Sequence, residues 1–120
     1  MPQRVTPAGL APANFAPVAP DPEAMRAALV ALVKAEAGRR ILAQVPSWKQ
    51  SNATARAVEL TRIGMQRALT PDETAEVAAI GGLWAAVKAI RDASDAIETD
   101  IMTTPPESLP TFDLTGGWPE

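Results

Sequence analysis

The chain lacks the residues on which many catalytic and metal sites depend. Its 120 residues include no cysteine and no histidine. Without cysteine, neither a disulfide framework nor a thiolate metal site is possible. Without histidine, the commonest general base and the commonest transition-metal ligand are both missing. The composition therefore argues against both kinds of chemistry.

Aromatic residues and long apolar runs are also scarce. Aromatics make up 4% of the chain, and much of its 47% hydrophobic fraction is alanine, so each helix buries little area per residue. No stretch approaches the roughly 20 apolar residues of a membrane span, and the N-terminus has no charged segment followed by an apolar run. We therefore expect a soluble chain without a cleaved signal or a membrane partner. Its core is modest, and oligomerisation would supply the missing burial.

Proline, by contrast, is abundant and concentrated at the two ends. It recurs every five residues near the N-terminus and appears again near the C-terminus, interleaved with apolar side chains. Proline fixes φ and has no N–H to donate, so such stretches fit neither a helix interior nor a central strand. The pattern predicts two extended arms, residues 1–20 and 103–120, that dock on a partner protein. The candidate docking residues are Val5, Leu10, Phe15, Leu109, Phe112, Leu114 and Trp118.

Charge is divided between two blocks of opposite sign. Residues 34–67 carry seven basic and two acidic side chains, a net of +5, whereas residues 72–120 carry ten acidic and two basic ones, a net of −8. The second block is expected to pack on the first, within one chain or between subunits. Aromatic interleaving is absent from the basic block and the overall balance is acidic, so no nucleic-acid partner is predicted.

Local signals predict three helices within residues 21–102. The first has Asp21 as N-cap and Pro22 at its first position, and it runs to about Gln44. The second opens at Ser47, where Gln50 three residues later suggests a capping box, and continues towards residue 69. Its candidates for burial are Trp48, Ala55, Val58, Met65 and Leu69.

The third helix carries the clearest pattern. It begins with Thr70 as N-cap, Pro71 at the first position and Glu73 completing a capping box. Its apolar residues then follow a heptad spacing that forms a seam of Ile80, Leu83, Val87, Ile90, Ser94, Ile97 and Ile101. The β-branched residues lean towards a three-stranded coiled coil, but the seam equally fits a bundle within one chain. The Ser94 hydroxyl is expected to bond back to a carbonyl of the preceding turn.

These signals predict an all-α fold without catalytic chemistry. The architecture expected is a helical hairpin or three-helix arrangement with a long C-terminal heptad helix, flanked by the two arms and oligomeric. Asp92, Asp95, Glu98 and Asp100 form the densest carboxylate group, but no ligand loop accompanies them, so we interpret them as a solvated face. No lysine is placed to activate a serine or threonine nucleophile. We therefore predict a protein that is not an enzyme and has no cofactor and no metal.

Two segments carry a family resemblance. They read WKQSNATARAVELTRIG and LTPDETAEVAAIGGLWAAVKAIRDASDAIE. Both resemble small helical proteins encoded among tail genes of tailed bacteriophages and prophages. The matching positions are Trp48, Lys49, Gln50, Asn52, Ala55, Arg56, Ala57, Glu59, Leu60, Trp84, Lys88, Ala89, Ile90, Arg91, Ala93, Ser94 and Asp95. The C-terminal stretch is more loosely similar to tail-fibre assembly proteins.

The resemblance implies work in a virion, through protein–protein contacts. It favours a structural component located at or near the tail fibre or baseplate, made in the bacterial host cytoplasm and bound to other virion proteins. Two alternatives stay open. One is a tail-fibre assembly chaperone that is absent from the mature virion, and the other is a head-associated decoration or spike protein.

Overall fold

The computed structural model describes residues 21–120, and this part of the chain is helical. Three α-helices precede a short 3₁₀-helix: α1 (Pro22–Gln44), α2 (Ser47–Gln66), α3 (Pro71–Thr103) and η1 (Pro106–Thr111). No strand occurs between residues 21 and 120. The prediction of an all-α fold with a long C-terminal helix is confirmed.

Local interactions set the ends of α1. Asp21 Oδ1 accepts a hydrogen bond from the backbone N–H of Glu23 at 3.1 Å, and Pro22 occupies the first turn, as predicted. The helix ends before Val45, which has φ −134° and ψ 86°. A proline disfavours the helical conformation of the residue before it, so Pro46 explains this break.

The start of α2 differs from the prediction. Pro46 is the N-cap, Ser47 lies inside the helix, and no side chain caps this end. The Gln50 amide instead donates from Nε2 to the Val45 carbonyl at 2.7 Å. The capping box predicted at Ser47 is therefore wrong, because its glutamine ties the first turn of α2 to the end of α1.

The turn from α2 to α3 is fixed by one carboxylate. Thr70 Oγ1 accepts from the Glu73 N–H at 3.1 Å and the Thr70 N–H donates to Glu73 Oε1 at 2.8 Å, so the predicted capping box is confirmed. Arg67 Nη1 donates to the same carboxylate at 2.8 Å. The Arg67 guanidinium and, secondly, the Thr70 N–H lower the pKa of Glu73 to about 2. Helix α2 ends at Gln66, short of the predicted Leu69.

Helix α3 runs antiparallel to both preceding helices. At its C-terminal end, Arg26 of α1 donates from Nη2 to the Thr104 carbonyl at 2.8 Å. Near its N-terminal end, Arg56 Nη2 of α2 lies 2.7 Å from Glu76 Oε1. The first half of α3 therefore faces α2, and the second half faces α1.

These contacts divide the described chain into two halves. We name α1 with residues 87–120 the closed half, and α2 with residues 71–86 the open half. The closed half contains a continuous core. Its buried residues are Val33, Ile97, Ile101 and Leu109.

The C-terminal segment is not an extended arm. Residues 106–111 form η1, Leu109 is 1% exposed, and Phe112, Leu114 and Trp118 pack against the closed-half core. Proline is compatible with the first turn of a short 3₁₀-helix, and large side chains fill the space that the alanine-rich α1 leaves beside α3. The extended conformation predicted for residues 103–120 is therefore wrong. The predicted N-terminal arm, with Val5, Leu10 and Phe15, lies outside the described residues.

Candidate assembly surface

The predicted oligomer seam is split between the two halves. Ile80 and Leu83, in the open half, are partly buried. The five others are buried within a single chain: Val87, Ile90, Ser94, Ile97 and Ile101. Side chains that the chain itself covers are not available to a second chain. An interchain seam stays a prediction only for Ile80 and Leu83.

Ser94 does not bond to the preceding turn as predicted. Its hydroxyl, in a residue that is 5% exposed, donates to Glu98 Oε2 at 3.1 Å. Glu98 Oε1 lies 3.1 Å from Lys34 Nζ of α1. The buried hydroxyl is thereby satisfied, and it contacts the carboxylate that links α3 to α1.

The predicted docking residue Trp118 is held by the chain itself. Its indole Nε1–H donates to the Leu114 carbonyl at 3.1 Å, and the Arg40 guanidinium lies 4.9 Å from the ring centroid, a cation–π arrangement. Arg40 also donates to Glu36 at 2.6 Å, and Arg39, followed by Arg40, lowers the pKa of Glu36 to about 2. The aromatic anchor of the tail therefore rests on α1.

Helix α3 contains eleven consecutive apolar residues, VAAIGGLWAAV, from Val77 to Val87, and the first ten lie in the open half. A helix that is apolar all round is normally covered on every side. Within the described chain this segment is only partly covered: Val87, at its end in the closed half, is buried, whereas Val77 is 45% exposed. About three turns of α3 thus present apolar surface to solvent.

Helix α2 also exposes large apolar side chains. The exposed fractions are 65%, 58% and 80% for Trp48, Val58 and Met65. All three were candidates for burial, and that prediction is wrong because α2 buries only Ala53 and Leu60. No third helix of residues 21–120 covers its other faces. The sequence feature that indicates this surface is the uninterrupted apolar run of α3. A heptad seam accounts for only one face of that run.

Two grooves flank the contact between α2 and α3. The larger encloses about 610 Å³, and its lining includes Lys49, Asn52, Arg56, Ala79 and Ala86. The smaller encloses about 300 Å³ and is lined by Ala57, Leu60, Thr61, Gly64, Leu69, Val77 and Ile80. Apolar side chains form most of the smaller lining, so this groove is suited to receive side chains of another helix, whereas polar and charged side chains edge the larger groove.

An exposed ion-pair network crosses the rim of the larger groove. Arg56 Nη1 lies 2.7 Å from Glu59 Oε1, and Arg56 Nη2 lies 2.7 Å from Glu76 Oε1. Glu76 and then Glu59 raise the pKa of Arg56 above its ordinary value. Exposed pairs of this kind add little stability, so their main effect is to orient the rim.

The carboxylate group of α3 does not form a metal site. Between residues 21 and 120 no three acidic side chains are placed to hold a metal ion. Asp92 is paired with Lys88, and Glu98 with Lys34. No helix in the described range is long and apolar enough to cross a membrane.

Comparison of the chain with family models, with curated proteins and with solved structures finds no match.

Proposed function

We propose that this chain is a structural component of a bacteriophage virion, at or near the tail fibre or baseplate, and acts by protein–protein assembly. The observation that carries the proposal is the uncovered apolar surface of the open half, where Met65 is 80% and Val77 is 45% exposed. Large apolar side chains left exposed on two neighbouring helices indicate an interaction site.

The virion setting comes from the resemblance to proteins encoded among phage tail genes. The resembling segments cover residues 48–64 and 69–98. They include most of α2 and all of the apolar run of α3, which are the elements that form the exposed surface. The resemblance and the surface therefore concern the same part of the chain.

A tail-fibre assembly chaperone is the second candidate. An exposed apolar surface also fits a protein that masks a fibre before trimerisation. The similarity to such chaperones rests on the C-terminal stretch, however, and its Trp118 packs on the core of the same chain. That packing favours the structural component. A head-associated decoration or spike protein would use the surface in the same way.

Quantitative peptide mass spectrometry on purified virions of the encoding phage tests the proposal. We expect the chain in a fixed ratio to a tail fibre or baseplate protein. Its absence from particles in which other minor tail proteins are detected, with copurification of unassembled fibre, would contradict the proposal and favour the chaperone. A fixed ratio to capsid proteins alone would favour the head-associated alternative.

A pair of variants links incorporation to the surface. Val77→Ser places a hydroxyl on the open half, and we expect it to reduce incorporation into virions. Leu32→Ser is the matched control, because Leu32 is 56% exposed on α1, away from this surface. Equal incorporation of both variants would contradict the role of the open half.

A further inference from the structure

We propose that the open half binds a second copy of this chain, with the two α3 helices antiparallel and centred on Gly82. The inference rests on the proposed assembly function and names the partner of its surface. The sequence around Gly82 reads nearly alike in both directions. Positions at equal distance carry similar side chains: Val77 with Val87, Ala78 with Ala86, Ala79 with Ala85, and Ile80 with Trp84.

The charges that flank this run invert across the same centre. Glu76 and Lys88 each lie six residues from Gly82, and Glu73 and Arg91 each lie nine residues away. In an antiparallel pair each acidic position is level with a basic position of the other copy, whereas a parallel pair would place like charges together. Glu73, Glu76 and Lys88 also pair within their own chain, with Arg67, Arg56 and Asp92, so a second copy would extend these ion pairs. Similar side chains at the centre and opposite charges at the ends are what a two-fold contact requires.

One face of α3 carries two pairs of this pattern, Glu73 with Arg91 and Ile80 with Trp84. Residues spaced three or four apart share a helix face, and this face is formed by Glu73, Val77, Ile80, Trp84, Lys88 and Arg91. It borders the smaller groove, which Val77 and Ile80 line together with residues of α2. In the antiparallel pair Trp84 of each copy is level with Ile80 of the other and enters this groove.

Gly81, near the centre of this run, supports a close approach of two helices. Glycine is a poor helix former, so two adjacent glycines inside α3 need a reason. A Cβ added at Gly81 or at Gly82 would meet nothing within 4 Å in the described chain. The chain's own packing therefore requires neither glycine. Gly81, four residues after Val77 and seven before Lys88, borders the proposed contact face and leaves room there for a second α3, whereas Gly82 lies on the opposite side of the helix.

A second copy fits this surface better than the chain's own N-terminal residues. Residues 1–20 join α1 at Asp21, at the end of α1 where Arg26 bonds to Thr104. The open half lies beyond the opposite end of α1, so about 35 Å, roughly half the span of twenty extended residues, would be used in reaching it. Those residues also carry no acidic side chain to match Lys88 and Arg91.

Cysteine crosslinking tests the orientation, because the chain has no cysteine of its own. A Val77→Cys variant is mixed with a Lys88→Cys variant and treated with a short thiol crosslinker. The antiparallel pair predicts that crosslinks between the two variants exceed crosslinks between like copies. Thr99→Cys, on an exposed part of the closed half, is the control and should give few crosslinks. A wild-type chain of monomeric mass, or crosslinks between like copies alone, would overturn the proposal.

Analytical ultracentrifugation tests the contacts themselves. We expect Trp84→Ala to weaken self-association on the order of 30-fold, as loss of a central aromatic residue typically does. Leu32→Ala, at an exposed site of α1 in the closed half, is the control and should leave self-association unchanged. Circular dichroism at low concentration verifies that each variant is folded.

Arg91→Glu tests the pairing without altering the core. Arg91 is exposed and makes no ion pair among the residues described, so this variant should fold normally but place like charges at the level of Glu73. We expect weaker self-association, with the deficit reduced at high salt. Unchanged self-association in both Trp84→Ala and Arg91→Glu would overturn the proposal. A monomeric chain found in virions would contradict the pairing alone, whereas a paired chain absent from virions would contradict only the structural role.

Discussion

The closed and open halves share the helix α3, yet only the closed half has a complete core. In the closed half Val33, Ile101 and Leu109 are at most 1% exposed, because the C-terminal tail packs beside α1 and α3. In the open half Met65 remains 80% exposed, since α2 and α3 have no third element of residues 21–120 between them and solvent. The difference shows that two alanine-rich helices leave apolar surface uncovered unless a further segment joins them.

The largest effect is expected from removing the side chain that completes the closed half. Leu109→Ala should lower the free energy of unfolding by about 2–5 kcal/mol, because it leaves a cavity in a buried site. Urea denaturation measures this loss. Leu32→Ala, at an exposed site of α1, should change the free energy by less than about 0.5 kcal/mol. Equal effects would mean that the tail does not contribute to the core.

A glycine in the tail should prove necessary for the closed half. Gly117 has φ +90°, and a Cβ there would lie 3.4 Å from Ile97 Cγ1. Gly117→Ala should therefore cost about 1–2 kcal/mol of unfolding free energy, measured by urea denaturation. A neutral result would show that the tail adopts another conformation in solution.

A glycine in the open half should behave in the opposite way. Gly82→Ala should raise the stability of the isolated chain by about 0.5–1 kcal/mol, because alanine is the better helix former and the added Cβ meets open space. Thermal unfolding at low concentration measures the gain. Destabilisation of the isolated chain would reveal a contact within the chain at this position.

The smallest effect concerns pH and compares one carboxylate from each half. The pKa values of Glu36 and Glu73 are both lowered from 4.5 to about 2 by arginine partners. Because each pKa is lower in the folded chain than in the unfolded chain, each ionised carboxylate stabilises the fold above pH 4.5. This stabilisation is lost as the pH falls from 4.5 towards 2. In thermal unfolding from pH 6 to pH 2, Glu36→Gln and Glu73→Gln should each flatten the decline of the melting temperature. If the melting temperatures of the variants fall as steeply with pH as that of the wild type, the result would contradict these ion pairs.

Local signals predicted most of the fold because they depend on short-range chemistry. The cap of α1 at Asp21 and the capping box of Thr70 with Glu73 each involve residues within one turn. The capping box predicted at Ser47 was wrong because the Gln50 side chain donates to the Val45 carbonyl instead of capping the N-terminus of α2.

The sequence did not predict that the C-terminal segment packs on its own chain or that the open half is exposed, because both depend on tertiary packing. Proline content indicates that a segment resists α-helix, but it does not indicate whether Leu109 packs on its own chain or on another. Likewise, the spacing of Trp48 and Met65 fits a buried face, and their exposure follows from the lack of a third helix in the described part of the open half.

The most direct test of the central claim is hydrogen–deuterium exchange on the full chain at low and high protein concentration. The account predicts that backbone amides of α2 and of residues 71–86 exchange fast when dilute and become protected as concentration rises. Amides of α1 and of residues 87–103 should be protected equally at both concentrations. Strong and concentration-independent protection in both halves would contradict the claim that the open half is completed by another chain.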